Sequence, residues 1–153
     1  MCISLESAEW LSCCASARWA DSMRAGQPYP DLNAVLARAR EEWAGVESGD
    51  VREAVAAHPR IGERTGTASR ESTEQAGIRD AGAGVLAAIA EGNRAYEARF
   101  GMTYLVRAAG RTAQEMLALL QERLSHDPET ELAVAARQQG EITALRLTAM
   151  VQA

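Results

Sequence analysis

Only two imidazoles are present in this chain of 153 residues, His58 and His126. His58 precedes Pro59, and a residue before proline is pushed out of the helical region, so the ring stands at the end of an element where it can lean over a cleft. Imidazole titrates near neutral pH and is the natural proton shuttle. Taken alone, a His-Pro pair is more often a helix stop whose ring meets solvent or a carbonyl. His126, ahead of Asp127-Pro128, reads as a loop residue. A second group is Ser72-Thr73-Glu74-Gln75, just beyond the loop that starts at His58. It pairs a carboxylate that could orient an imidazole with an amide that could read a polar ring. Its plain reading is a helix start, with Ser72 as N-cap and Glu74 favoured by the helix dipole. Arg146 is the third candidate. In the last helix Leu132, Ala135, Gln139, Ile142, Arg146 and Ala149 recur at three and four, so a guanidinium falls on the inward stripe. It either snorkels to water or offers a fork to a carboxylate of the protein or of a ligand. Asn93, on the stripe of the longest central helix, is read as satisfying a buried backbone group.

The elements that must position these groups are helices. Alanine, leucine, arginine and glutamate dominate, β-branched and aromatic residues are few, and the fold class is all-α. A first helix starts at Ser7 and contains Trp10, Leu11 and Cys14. A second runs from Trp19 to Met23, closed by Gly26 and the Pro28-Tyr29-Pro30 loop. Asp31 caps a third, with Leu32, Val35, Leu36, Ala39 and Trp43 on one face, and Asp50 opens a fourth over Val51–Ala57. Gly62 to Arg70 is a polar surface loop. From about Asp80 to Phe100 the residues Val85, Ile89, Asn93, Tyr96 and Phe100 form one stripe. Thr112-Ala113-Gln114-Glu115 is a capping box for a helix that packs Met116, Leu117, Leu119, Leu120 and Leu124 inward. Asp127 as N-cap with Pro128 at the first helical position starts the last one. The composition, 47% hydrophobic and 24% charged, is that of one compact domain over 1–153 rather than two separately cored ones.

Composition also excludes. The 16 basic residues are all arginine, against 21 acids, for a net charge of -5. A Schiff-base lysine is ruled out, and the scatter of charge offers no basic stripe for nucleic acid. No apolar stretch approaches the ~20 residues of a membrane span, the N-terminus lacks a basic region leading into an apolar segment, and the C-terminus is not of the S-K-L kind, so the expected setting is cytoplasmic. Cys2, Cys13 and Cys14 lack C-x-x-C spacing and read as thiols of a reduced compartment, and neither histidine has a second ligand at helical spacing, so no metal site is expected.

His58-Pro59-Arg60-Ile61-Gly62, Glu74-Gln75-Ala76-Gly77, Asn93-Arg94-Ala95-Tyr96-Glu97-Ala98-Arg99-Phe100-Gly101, Gly110-Arg111 and Glu141-Ile142-Thr143-Ala144-Leu145-Arg146-Leu147, in this order over about Trp10 to Leu147, resemble the OHCU decarboxylases, which act on 2-oxo-4-hydroxy-4-carboxy-5-ureidoimidazoline. The resemblance implies a single-domain multi-helix bundle, usually a homodimer, catalysing the last step of urate breakdown to (S)-allantoin without cofactor. It implies His58 as the catalytic histidine and Glu74 as its paired carboxylate. Pro59 and Gln75 match substrate-contacting positions, and Val106, Arg107, Ala108, Ala109 and Gly110 match a segment that contacts the ring through its backbone. Arg146 matches an arginine of the last helix, and in this chain it would either contact the substrate or hold acids near Glu74 in place. The serine that the family usually has three residues before the glutamate is Glu71 here. Ser72, the nearest hydroxyl, lies one helical step of about 100° away.

The chemistry this implies is loss of CO2 from a carbon that bears a hydroxyl and adjoins a ring C=N, so that the bond electrons flow into the imine. The substrate then supplies its own electron sink, and neither pyridoxal phosphate, thiamine, metal nor lysine is required. His58 transfers a proton at the hydroxyl-bearing carbon or its oxygen, Glu74 sets the imidazole's tautomer, backbone donors of Val106–Gly110 stabilise ring charge, and Gln75 reads the ureido or ring amide edge. The competing reading from another class is a non-catalytic helical dimeric binding module in which His58 and Glu74 are caps. A lyase or hydrolase on a related ureido acid would share the site and differ in product.

Overall fold

The computed structural model describes residues 2–62, 76–79 and 81–152. Among them are eight helices and no strand beyond one isolated antiparallel bridge, Ile3 with Tyr29. The all-α expectation holds. The chain divides into two compact units, one taking the residues up to Ala57 and again from Ala136, the other His58–Ala135.

The first unit holds α1 (Ser7–Cys13), α2 (Ala17–Ala25), α3 (Leu32–Ala44), α4 (Ser48–Ala56) and the later part of α8 (Pro128–Gln152). Its core gathers Trp10, Trp19, Met23, Tyr29 and Val35 with Cys13, Cys14 and Leu147. Large aromatic groups fill it because each polar edge finds an acceptor. Trp10 donates to Gln27 Oε1 at 3.2 Å, Trp19 to the Ala39 carbonyl at 3.2 Å, Trp43 to the Ala136 carbonyl at 2.8 Å, and the Tyr29 hydroxyl to the Met23 carbonyl at 2.7 Å. Trp10 meets Trp19 and Tyr29 edge to face, with centroids 6.1 and 6.0 Å apart.

The helix starts differ in detail from the sequence reading. α2 begins at Ala17 rather than Trp19, because Ser16 Oγ accepts the Trp19 N–H at 3.2 Å and so caps the turn before it. α1 ends at Cys13, and Cys14 is its extended C-cap. Asp50 does not open α4. The helix starts at Ser48 with Glu47 as N-cap, and Asp50, at the third position, accepts the Glu47 N–H at 2.9 Å in a reciprocal box. Asp31 caps α3 as expected, through the Ala34 N–H at 2.8 Å.

The second unit holds α5 (Ala76–Arg79), α6 (Ala83–Phe100), α7 (Ala113–Arg123) and the first two turns of α8. The start of α6 falls three residues after the expected Asp80, with Gly82 as N-cap. Thr112 and Glu115 form the anticipated capping box of α7, and Asp127 caps α8 through the Thr130 N–H at 2.8 Å. α6 packs on α7 around Ile89, Tyr96, Phe100, Met116 and Leu120. Gly92 makes that approach possible, since a Cβ there would lie 2.5 Å from Leu120 Cδ2. Of the apolar residues expected inward on α7, Met116 and Leu120 are buried, while Leu117, Leu119 and Leu124 are only partly so. No helix among the described residues is long and apolar enough to cross a membrane.

Candidate functional site

The His58-Pro59 step does what its backbone chemistry requires. α4 ends at Ala56, and the chain leaves the helix with both His58 and Pro59 half-buried. The next residues, Arg60 and Ile61, are held against α6 at two points on one of its faces. Asn93 Nδ2 donates to the Ile61 carbonyl at 3.0 Å, and Arg60 Nε pairs with Glu97 Oε1 at 2.7 Å. Ile61 itself is buried in the core of this unit, and Gly62 turns the chain away at φ +83°, a conformation L side chains rarely adopt. Between Arg60–Gly62 and the Leu86–Ala90–Asn93–Glu97 face of α6 lies a cleft of about 380 Å³. Asn93 behaves as the sequence reading has it, satisfying a buried backbone carbonyl, yet its own Oδ1 is buried with no partner among the described residues.

The second expected segment is non-helical from Tyr104 and ends in a turn at Ala109–Gly110, where Gly110 takes φ +78°. Val106 and Ala108 are buried, and Arg107 and Ala109 are half-buried. Its carbonyls are taken by guanidinium groups and one turn bond. Arg123 Nη1 donates to the Leu105 carbonyl at 2.6 Å, Arg111 Nε to that of Arg107 at 2.8 Å, and Arg107 Nη1 to that of Ala109 at 2.7 Å. The Arg111 N–H donates to the Ala108 carbonyl at 3.1 Å. Ile61, Val106 and Ala108 belong to one buried cluster, so the stretch after His58 and the stretch of Val106–Gly110 share a core.

Ser72, Glu74 and Gln75, and the polar loop beyond Gly62, lie outside the described residues. The helix next in the chain, α5, is described and sits on the backbone just after Gly110. A Cβ at Gly77 would run into the Arg111 carbonyl oxygen and stand 3.3 Å from Thr112 Cα. Arg146 belongs to the first unit, where it is buried and its Nη1 donates to the Ser12 carbonyl at 3.3 Å. Beside it, burial pushes the Cys14 thiol up to about 12, which leaves it protonated and unreactive at neutral pH. Cys13 is also buried, while Cys2 is exposed.

Sequence reasoning missed a polar cluster in the second unit. Glu131 is fully buried and Arg123 is 3% exposed. Arg123 Nε donates to Glu131 Oε1 at 2.6 Å, the Tyr96 hydroxyl donates to the same oxygen, and His126 Nδ1 lies 3.1 Å from Glu131 Oε2. The guanidinium stacks over the Tyr104 ring, 4.8 Å from its centroid. Burial raises the Tyr96 phenol well above its ordinary range, and its bond to Glu131 adds to this. Tyr104 is raised by burial as well. The spacing contained a signal. Ala113, Met116, Leu120 and Arg123 recur at three and four, as do Glu131, Ala135, Gln139, Ile142 and Arg146, and all nine are buried. The inward stripe of α8 therefore starts at Glu131 and not at Leu132, and Ala149 is exposed.

The family model described as OHCU decarboxylase matches residues 6–148. The chain belongs to the OHCU decarboxylase family. Among curated proteins it is 35% identical, over 155 aligned positions, to the uric acid degradation bifunctional protein TTL of Arabidopsis thaliana. That alignment covers 96% of this chain and 48% of the relative. The chain thus spans about half the length of that protein. A solved OHCU decarboxylase, crystallised in the presence of (S)-allantoin, superposes with a TM-score of 0.87 at 33% identity, covering 97% of this chain and 100% of the other. A solved (S)-allantoin synthase matches at a TM-score of 0.70 and 19% identity, covering 94% of this chain and 48% of that one, which is a likeness of fold. The matched length takes in all of His58–Ala135 and most of the other unit.

Proposed function

We propose that the chain converts 2-oxo-4-hydroxy-4-carboxy-5-ureidoimidazoline to (S)-allantoin and CO2, as one functional domain over 1–153, in a cytoplasmic homodimer. Family membership over 6–148 carries this reading. Its substrate class is a small polar ureido acid, and nucleic acid and membrane play no part in it. The C–C bond to the carboxylate breaks, and its electron pair passes through the neighbouring ring carbon toward the imine nitrogen as CO2 leaves. The hydroxyl oxygen becomes a ring carbonyl as it gives up its proton. Two protons, one from that hydroxyl and one from solvent, end on the ring carbon and the ring nitrogen. Because the imine accepts the electrons, no further electron sink is needed.

Within this reading His58 takes the hydroxyl proton and delivers a proton to one face of the ring carbon, a role typically contributing about 10²–10⁴-fold. Glu74 fixes the imidazole's tautomer and Gln75 reads the ureido edge. Pro59 and Ser72 contact substrate, and the amides of Val106, Arg107, Ala108, Ala109 and Gly110 stabilise charge growing on the ring. What supports the last assignment is the engagement of the carbonyls of Arg107, Ala108 and Ala109 by Arg111 and Arg107, which orients the segment's donors away from those groups. Arg146 hydrogen-bonds the Ser12 carbonyl at the end of α1, and its assignment to the substrate rests on the family resemblance alone. The test is a coupled assay. Uricase, the hydrolase that opens its product, urate and this protein are mixed, and circular dichroism should report (S)-allantoin well ahead of the uncatalysed background. A signal no faster than background removes the decarboxylase reading.

A further inference from the structure

Arg123 and Glu131 are a buried ion pair with no place in the chemistry just given, and a buried ion pair is by itself weak evidence of a stabilising role. The geometry points to another use. We propose that the pair positions the segment Val106–Gly110, so that Arg123 and Glu131 are positioning residues for the decarboxylation. This rests on the reading above in assigning that segment to the substrate.

The Leu105 carbonyl is the point of attachment. A guanidinium has five N–H donors in a rigid plane, whereas an ammonium is a point charge. Arg123 uses three directions of that plane, toward Glu131 Oε1 at 2.6 Å, the Leu105 carbonyl at 2.6 Å and the Tyr96 hydroxyl at 3.4 Å. Its plane also lies over the Tyr104 ring, whose hydroxyl donates to the Met116 carbonyl at 2.9 Å. Residues 104 and 105 are therefore tied to α7 by side chain and main chain immediately before the segment begins. Glu131, on the first turn of α8, holds the guanidinium's rotation. Tyr96 on α6 shares that carboxylate oxygen, so three helices meet at the guanidinium that holds the Leu105 carbonyl. Backbone donors aimed at developing charge must hold their position closely, and an error of about 1 Å can cost 10²-fold in rate.

Two conservative variants, Arg123→Lys and Glu131→Gln, test this in the coupled assay, with rates expressed per folded molecule. Leu120→Ala, a core truncation in the same unit, serves as a control for lost stability. We expect both variants to lose about ten- to a hundredfold in kcat with KM changed less than about threefold, the pattern of an interaction realised in the transition state. Leu120→Ala should melt earlier yet keep its kcat per folded molecule. If Arg123→Lys does not fold, Glu131→Gln, which keeps the shape, decides alone. Variants with wild-type kcat, or a Leu120→Ala loss as large as theirs, would overturn the positioning role while leaving the decarboxylase reading intact. A wild-type protein without activity would instead overturn that reading, and this inference with it.

Discussion

Gly77→Ala is the substitution whose consequence can be worked furthest from the geometry. The added Cβ would meet the Arg111 carbonyl oxygen well inside contact distance and Thr112 Cα at 3.3 Å. Both obstacles are backbone and cannot swing aside. Restoring an ordinary separation of about 3.5 Å requires α5 and the Arg111–Thr112 chain to part by roughly 1 Å. Overpacking of this kind costs about 1–3 kcal/mol, against at most about 1 kcal/mol gained from alanine's better helix propensity. At about 2–4 °C per kcal/mol for a chain of this size, the melting temperature should fall by several degrees. The larger effect is on rate. Under the proposed function Glu74 and Gln75, which precede α5 in the sequence, act on the substrate, so a displacement of α5 by about 1 Å should lower kcat by up to 10²-fold. Gly84→Ala is the matched control. Its Cβ meets nothing within 4 Å, and it should gain about 0.5–1 kcal/mol and keep full activity. Coupled circular-dichroism kinetics and thermal melts of both variants settle the matter. A Gly77→Ala protein within twofold of wild-type kcat would refute the claim that the seat of α5 sets the site.

Other expectations can be checked with simpler measurements. A thiol reagent at neutral pH should modify Cys2 rapidly and leave Cys13 and Cys14 untouched until the protein is denatured, because Cys2 is exposed and burial holds Cys14 protonated. Asp127 and Glu115 are held below their ordinary pKa by the N–H groups and hydroxyls they cap. A depressed carboxylate contributes stability above its unfolded pKa and loses it as pH falls through the folded value, so α7 and α8 should fray at their starts below about pH 4, and Asp127→Asn should lose that acid dependence. Glu74→Gln should depress turnover strongly at unchanged helicity, and a near-normal rate would leave the carboxylate only a first-turn charge.

Much of the helical framework was legible because its signals are local. The capping box of Thr112 and Glu115, the Asp127-Pro128 start, and the His58-Pro59 stop depend on residues within one turn of each other. Asp50 shows the limit of such signals. An acid near a helix start is favoured both as N-cap and three residues inside it, and only the Glu47 N–H, a backbone group, tells the two apart. Burial of charge was less legible. Arg123 and Glu131 fall on the inward stripes of their helices, but a charged residue there reads as a surface group until its partners are known. Those partners, Tyr96, His126 and the Leu105 carbonyl, come from other elements. Asn93 was readable in kind, as a buried amide serving a carbonyl, though nothing local identified Ile61 as that carbonyl's residue. The candidate site was found by its motifs, since His58-Pro59 and Glu74-Gln75 each have a plain structural reading and only their order along the chain with the other segments set them apart.

Decarboxylation of a ureidoimidazoline by this fold, with His58 moving the proton, is tested most directly by comparing wild type with His58→Ala on freshly generated substrate, reading rate and enantiomeric excess by circular dichroism. Rapid (S)-allantoin is expected from the wild type, and from the variant an unchanged helical spectrum with product formed slowly and as a racemate. Undiminished rate and enantiomeric excess in His58→Ala would contradict that role.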